Sequence, residues 1–256
     1  MINSHVQNSK VVIKQFSISD KDGRVLTLNL KNGLIRKTST KNIGTKFGYY
    51  DDNAEQLLSS KFEAPMGIII KKLKDIEKID RCVNFNEKEI EQISRFIIVL
   101  FLRSPQIVEG TNMKSIFANL LNIKITPSDI IKRIENTSII EQFSKNHYPV
   151  VIFNENEVKF ISSISGLIVY QNKSTSETCW FVPITPTIAI HYVGDEFFNN
   201  VYQNHTSVGI SESDVKFYNE KLTESAIKRG DEVVFSASND ELIRLKSICL
   251  DNKLMH

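Results

Sequence analysis

The chain has 256 residues, 41% of them hydrophobic and 24% charged, and its 32 basic and 30 acidic side chains leave a formal net charge of +2. That composition is globular rather than disordered, and the near balance of charge argues against a general binder of nucleic acid or acidic membranes. The cysteines Cys82, Cys179 and Cys249 are odd in number, far apart and free of any Cys-x-x-Cys pair. This fits neither a disulfide framework nor a zinc ribbon and points to a reducing compartment.

The opening stretch MINSHVQNSKVVIK has no apolar core of signal-peptide length. The apolar run FIIVLFL is far short of the roughly 18 residues a membrane helix needs. The expectation is therefore a cytoplasmic protein with no membrane partner. Residues 11–50 read as a three-stranded meander of VVIKQFSI, RVLTLNL and LIRKTST, with turns at Asp22-Gly23 and Asn32-Gly33, dipeptides suited to left-handed turn positions. A loop follows, and Asp51, Asp52 or Asn53 can cap a helix over about 54–79, which Pro65 and Gly67 should kink or break. Asn84 or Asn86 can cap a second helix that ends near Ser104-Pro105. Two more helical segments are expected, over about 106–122 and from Pro127 to about 144.

From residue 147 the segments PVVIFNE, VKFISSIS, GLIVYQ, CWFVPIT and TIAIHYV have strand length and strand composition. A helix starts at Ser211 or Ser213 and stops at Gly230, a strand DEVVFSAS follows, and NDELIRLKSICLDNKL reads as a last helix or a frayed tail. The fold class is α+β: an N-terminal β meander, central helices, and a mostly antiparallel C-terminal β region with a late helix. It is read as a single domain over 1–256, β-rich at 5–50, helical at 54–145 and β-rich with a late helix at 147–256.

The two long helices carry charge inside apolar runs: Glu55 and Glu63 in the first, Arg95 and Arg103 in the second. Each pair is eight positions apart, about 80° around a regular helix, so both members can face one cleft. Buried charges need partners. One reading is an ion-pair ladder between the helices, with Arg103 at least half buried and paired to Glu55 or Glu63. The other is a catalytic or metal centre in which Glu55 and Glu63 hold a divalent cation, magnesium or manganese, or activate water. Walker, Rossmann, H-E-x-x-H and G-x-S-x-G motifs are absent. His191 reads as a satisfied core histidine, His147 and His205 as solvated loop residues, and His256 as terminal. Lys71, Lys72 and Lys74 read as a solvated helix face, and Trp180 and Phe181 as core.

In order, these segments resemble a widespread, mostly microbial family of uncharacterised proteins. That family opens on a His-His-Tyr-Val-Pro-Gln-Phe-Tyr-Leu-Lys-x-Phe motif. A helical glutamate pair, an Arg-Thr-Pro helix end, a Phe-Ile-Thr-Ser-Asp-Asn-Pro strand and a Phe-Pro-Leu-Ser-Pro strand follow. Here His5, Ile13, Lys14 and Phe16 stand in the opening, with Glu55 and Glu63 as the pair. Arg103, Ser104 and Pro105 form the helix end, FISSIS at 160–165 and FVPITP at 181–186 the later strands, and Asn219 the C-terminal pattern. The departures are Val6, Ser9, Lys10, Leu100 and Ile164, each replacing a polar residue or proline of the pattern. The resemblance implies a site at His5, Glu55, Glu63 and Arg103 that has lost several members. The functional expectation is an interaction or regulatory module without a cofactor, with a protein partner or self-association, in a bacterial defence or mobile-element setting. The alternative is a metal-dependent hydrolase of phosphodiesters, with nucleic acid as its partner, using His5, Glu55 and Glu63.

Overall fold

The computed structural model describes residues 3–5, 11–19, 23–47, 50–103, 127–134 and 138–251. It has the expected α+β class, but the β segments are shared out differently from the expected meander. VVIKQF makes a short 3-10 turn, Ile13–Phe16, rather than a strand. Its buried residues Val12, Ile13 and Phe16 recur at helical spacing, and that packing overrides the β-branched composition. The hairpin of β2 (Arg24–Asn29) and β3 (Ile35–Ser39) forms as expected. Its turn places Gly33 at φ +69°, and the Asn29 side chain accepts from the Lys31 and Asn32 amides. The chain start contributes β1 (Asn3–His5), which pairs antiparallel with β4 (Thr45–Phe47).

Asp51 caps α1 (Asp52–Leu57), its carboxylate accepting from the Ala54 amide at 2.8 Å. A π-helical segment, Leu58–Glu63, joins α1 to α2 (Ala64–Glu77). The expected kink is therefore a widened turn. Pro65 has no N–H and its ring would collide with the carbonyl four residues back; the preceding turn opens instead, and the Ala64 amide reaches the Ser59 carbonyl. α3 (Glu87–Leu102) starts at a capping box between Asn86 and Glu89. Lys72 is no solvated bystander: its ammonium donates to Glu89 and to the Asn84 carbonyl, tying α2 to the start of α3. The expected helix over 127–144 is two elements, α4 (Pro127–Ile134) and α5 (Ser138–Lys145). The expected helix at 106–122, Ser104-Pro105 and His256 lie outside the described residues.

A five-stranded sheet has the order β10-β5-β9-β8-β7: β10 (Ser207–Gly209), β5 (His147–Phe153), β9 (Ile188–Gly194), β8 (Thr178–Pro183) and β7 (Ile168–Gln171). All pairs are antiparallel except β10 with β5. Both faces are covered, which is why these strands read as nearly continuous apolar runs. Val151, Phe153, Ile188, Ile190 and Tyr192 face α2 and α3, while Val150, Ile152, Ala189 and Val193 face the C-terminal helices. Those helices are α6 (Asp195–Asn200), α7 (Glu212–Lys228), which starts at the Ser211 cap and stops at Gly230 with φ +75°, and α8 (Asn239–Asp251). The last strand, β11 (Val233–Ser236), joins β2 and β3 rather than the larger sheet, and β6 (Ser162–Ser163) is what remains of VKFISSIS. The N-terminal hairpin and the last strand of the chain thus share one sheet.

Candidate functional site

The widened turn decides where the two glutamates point. Eight residues on a regular helix leave Glu55 and Glu63 about 80° apart. One ordinary turn and one turn wider by about a residue together take about eight residues, which returns Glu63 to the face of Glu55. That face meets Arg103, the C-cap of α3, and Tyr50, just before α1. The Arg103 guanidinium is only 3% exposed, lies 3.6 Å from Glu63 through Nη1, donates from Nε to the Tyr50 hydroxyl at 3.2 Å and sits 5.3 Å from the Tyr50 ring centre. A cation at a helix C-terminus also meets the exposed carbonyls favourably.

Burial alone would lower the Arg103 pKa, but Tyr50, Glu63 and Glu55 around it hold it above its ordinary value. Burial pushes the Tyr50 hydroxyl up, against the pull of Arg103, so Tyr50 stays a neutral phenol. Glu55 acts on both at longer range, and its Oε1 is buried without a hydrogen-bond partner among the described residues. The site is therefore one guanidinium and one phenol between two carboxylates. Arg95 does not belong to it: its guanidinium holds Glu91 at 2.6 Å, one turn back on its own helix, so the expected ladder has a single rung at Arg103. His5 ends β1, opposite Thr45, and its side chain lies outside the described residues. No group of three or more histidine, cysteine, aspartate or glutamate side chains suited to a metal occurs among the described residues.

Tyr50 was not singled out by the sequence; its only signal there is its place just before the Asp51 cap. Leu100 and Ile164, two of the departures read from the sequence, both lie in the apolar cluster around Trp180, at 2% and 6% exposure. Beside Ile164, the buried Asp231 accepts from the Ser165 amide at 2.9 Å and hydroxyl at 2.7 Å, and burial raises its pKa. Asn219 is satisfied on both atoms: Oδ1 accepts from the Ile161 amide, and Nδ2 donates to the Lys159 carbonyl and to Glu241. His191 is the core histidine expected, with one ring nitrogen 2.8 Å from the Tyr170 hydroxyl and the other bonded to Tyr202. His147 is not solvated; it is half-buried, stacks on Phe143 and Tyr192, and burial lowers its pKa.

An α+β protein with a buried tyrosine–arginine–glutamate cluster at a widened helical turn is the class that fold and site define. The chain belongs to the DUF4238 family, described as proteins of unknown function, whose profile matches residues 9–240. No curated protein and no solved structure matches it.

Proposed function

We propose that this chain is a non-catalytic interaction or regulatory module, in which Tyr50, Glu55, Glu63 and Arg103 brace the helices rather than turn over a substrate. The observation that carries this reading is the buried Arg103 guanidinium seated on Glu63. It already supplies the positive charge that a divalent cation would bring to the carboxylates. The apolar packing of Leu100 and Ile164 supports it, since neither side chain can ligate a metal or move a proton. The module binds a protein partner or a second copy of itself, and a bacterial defence or mobile-element setting belongs to the same proposal. Light scattering and pull-down with the purified chain test it. A dimer or a defined complex supports the reading, whereas a strict monomer with measurable turnover overturns it.

One observation favours the second reading, a phosphodiester hydrolase using magnesium or manganese with His5, Glu55 and Glu63. The buried Glu55 Oε1, without a hydrogen-bond partner among the described residues, is an acceptor that a bound cation or donor would satisfy. Calorimetric titration with manganese, and cleavage of labelled DNA and RNA, decide between the two. Binding and cleavage that both vanish in Glu63→Gln would establish the hydrolase. A chain silent in both assays leaves the module.

A further inference from the structure

The sheet edges are not equally guarded. Edge strands present unpaired amides and carbonyls, and proteins blunt them with charge, brevity or cover. β3 exposes Arg36 and Lys37, and β6 is two residues long. β10 is short, and the hydroxyls of Thr206 and Ser207 donate to the Val83 and Arg81 carbonyls, which holds that segment along it. β7, four residues long, carries no charged side chain, and no described strand pairs with its outer side.

Its backbone polarity follows from the ladder. The Asn172 amide donates to the Glu177 carbonyl at 2.8 Å, so hydrogen-bonded pairs with β8 alternate through Tyr170 and Ile168. Val169 and Gln171 therefore turn their N–H and C=O groups outward. Beside this edge runs α7, whose Tyr218 stacks on Phe181 at 3.9 Å, on the sheet face that carries Tyr170 and Ile168. Between edge and helix lies a groove of about 370 Å³, with Val169 and Tyr170 on the strand side and Phe217, Tyr218, Lys221 and Lys228 on the helix side. Phe217 is 51% exposed, Lys221 lies over its ring and pairs with Glu224, and Lys228 is exposed with no ion-pair partner among the described residues.

We propose that this edge binds an extended acidic peptide segment of a partner protein, which adds antiparallel to β7; this rests on the module reading above and names its partner class. Val169 and Gln171 each exchange two main-chain bonds with the incoming strand. Peptide residues opposite Ile168 and Tyr170 then face α7. There the groove accepts an apolar side chain against Tyr170 and Phe217, and a carboxylate toward Lys228. Pairing of two β7 edges from two copies would crowd Lys221 and Lys228 of one α7 against those of the other, which disfavours self-pairing and selects an acidic partner.

Fluorescence anisotropy on the full chain tests this, with a labelled eight-residue peptide in which valine alternates with phenylalanine and glutamate. The glutamate peptide should bind, and its version with alternate N-methylated amides should lose binding by roughly tenfold or more, because main-chain donors are gone. Lys228→Glu, at an exposed position, should weaken the glutamate peptide and favour a lysine counterpart. The proposal is overturned if the glutamate peptide does not bind, or if binding ignores N-methylation and Lys228→Glu. Covalent dimers of Gln171→Cys that the peptide does not prevent would also overturn it, by assigning the edge to a second copy. A partner complex that survives Lys228→Glu and excess peptide would overturn the edge while leaving the module intact. Metal-dependent cleavage would overturn the module without touching the anisotropy result.

Discussion

At the scale of single residues, Arg103 and His191 are two buried groups held in opposite charge states. Arg103 keeps its charge because carboxylates and a phenol surround it, and truncating it removes the buried cation 3.6 Å from Glu63 together with its bond to Tyr50. Arg103→Ala should cost about 3–5 kcal/mol in urea unfolding, and Arg103→Lys should recover only part, since an ammonium cannot reproduce the planar contacts to Glu63 and Tyr50. Lys71→Ala, on an exposed face of α2, should stay within about 0.5 kcal/mol of the parent. If Arg103→Ala unfolds like the parent, the bracing role is wrong. His191 is kept neutral: burial pushes its pKa from 6.5 down to about 3. Between those values the unfolded chain holds a proton that the folded chain refuses, so stability falls with falling pH, by about 1.4 kcal/mol per unit for this one group. The lowered pKa of His147 adds to that slope, and the raised pKa of Asp231 opposes it. His191→Gln, compared with the parent by urea unfolding at about pH 6 and pH 4, should therefore lose less stability across the interval. The sequence made Arg103 legible because a charge ending an apolar run has few ways to be satisfied. It misplaced Arg95 because a carboxylate one turn away on the same helix offers a partner without any interhelical contact.

Among the elements, the widened turn between α1 and α2 was half legible. Pro65 announced an interruption, but not its form, since a proline can end, kink or widen a helix. If Pro65 forces the wide turn, deleting Ser60, whose side chain is exposed, should drive the segment into a regular helix and bring back the proline clash. That deletion should cost about 3 kcal/mol or more, and adding Pro65→Ala should return stability to within about 1 kcal/mol of the parent. Deleting Lys71 instead would turn Leu73 and the rest of α2 by about 100° out of the core, and Pro65→Ala should not rescue it. Thermal unfolding of the four variants checks this; equal loss with and without Pro65→Ala would clear the proline. The strands show where local reading stops. β5, β8 and β9 were evident from composition because both faces are buried. VVIKQF has the same composition, yet its side chains are placed by α2 and β11, which no local window contains. The pairing of β2 with β11 is likewise invisible to any rule of neighbouring segments.

At the scale of the whole molecule, the five-stranded sheet is lopsided: β10 is short and held against Arg81–Val83, and β7 stands open among the described residues. An assembly can grow without limit only if each subunit offers two complementary ends, because a head-to-tail contact must be passed on to the next copy. A sheet with one accessible end is a chain terminator in the polymer sense. Association through it stops after a single event, whether the arriving strand comes from a peptide or from another copy. The measured mass in light scattering should then stay at or below two chains at every concentration, and seeding with preformed aggregates should not extend it. A mass that keeps climbing would mean that the β10 end also opens. On this geometry a four-residue uncharged edge, ordinarily an aggregation hazard, is tolerated because the five-stranded sheet offers, among the described residues, no second open end to hand the next strand on.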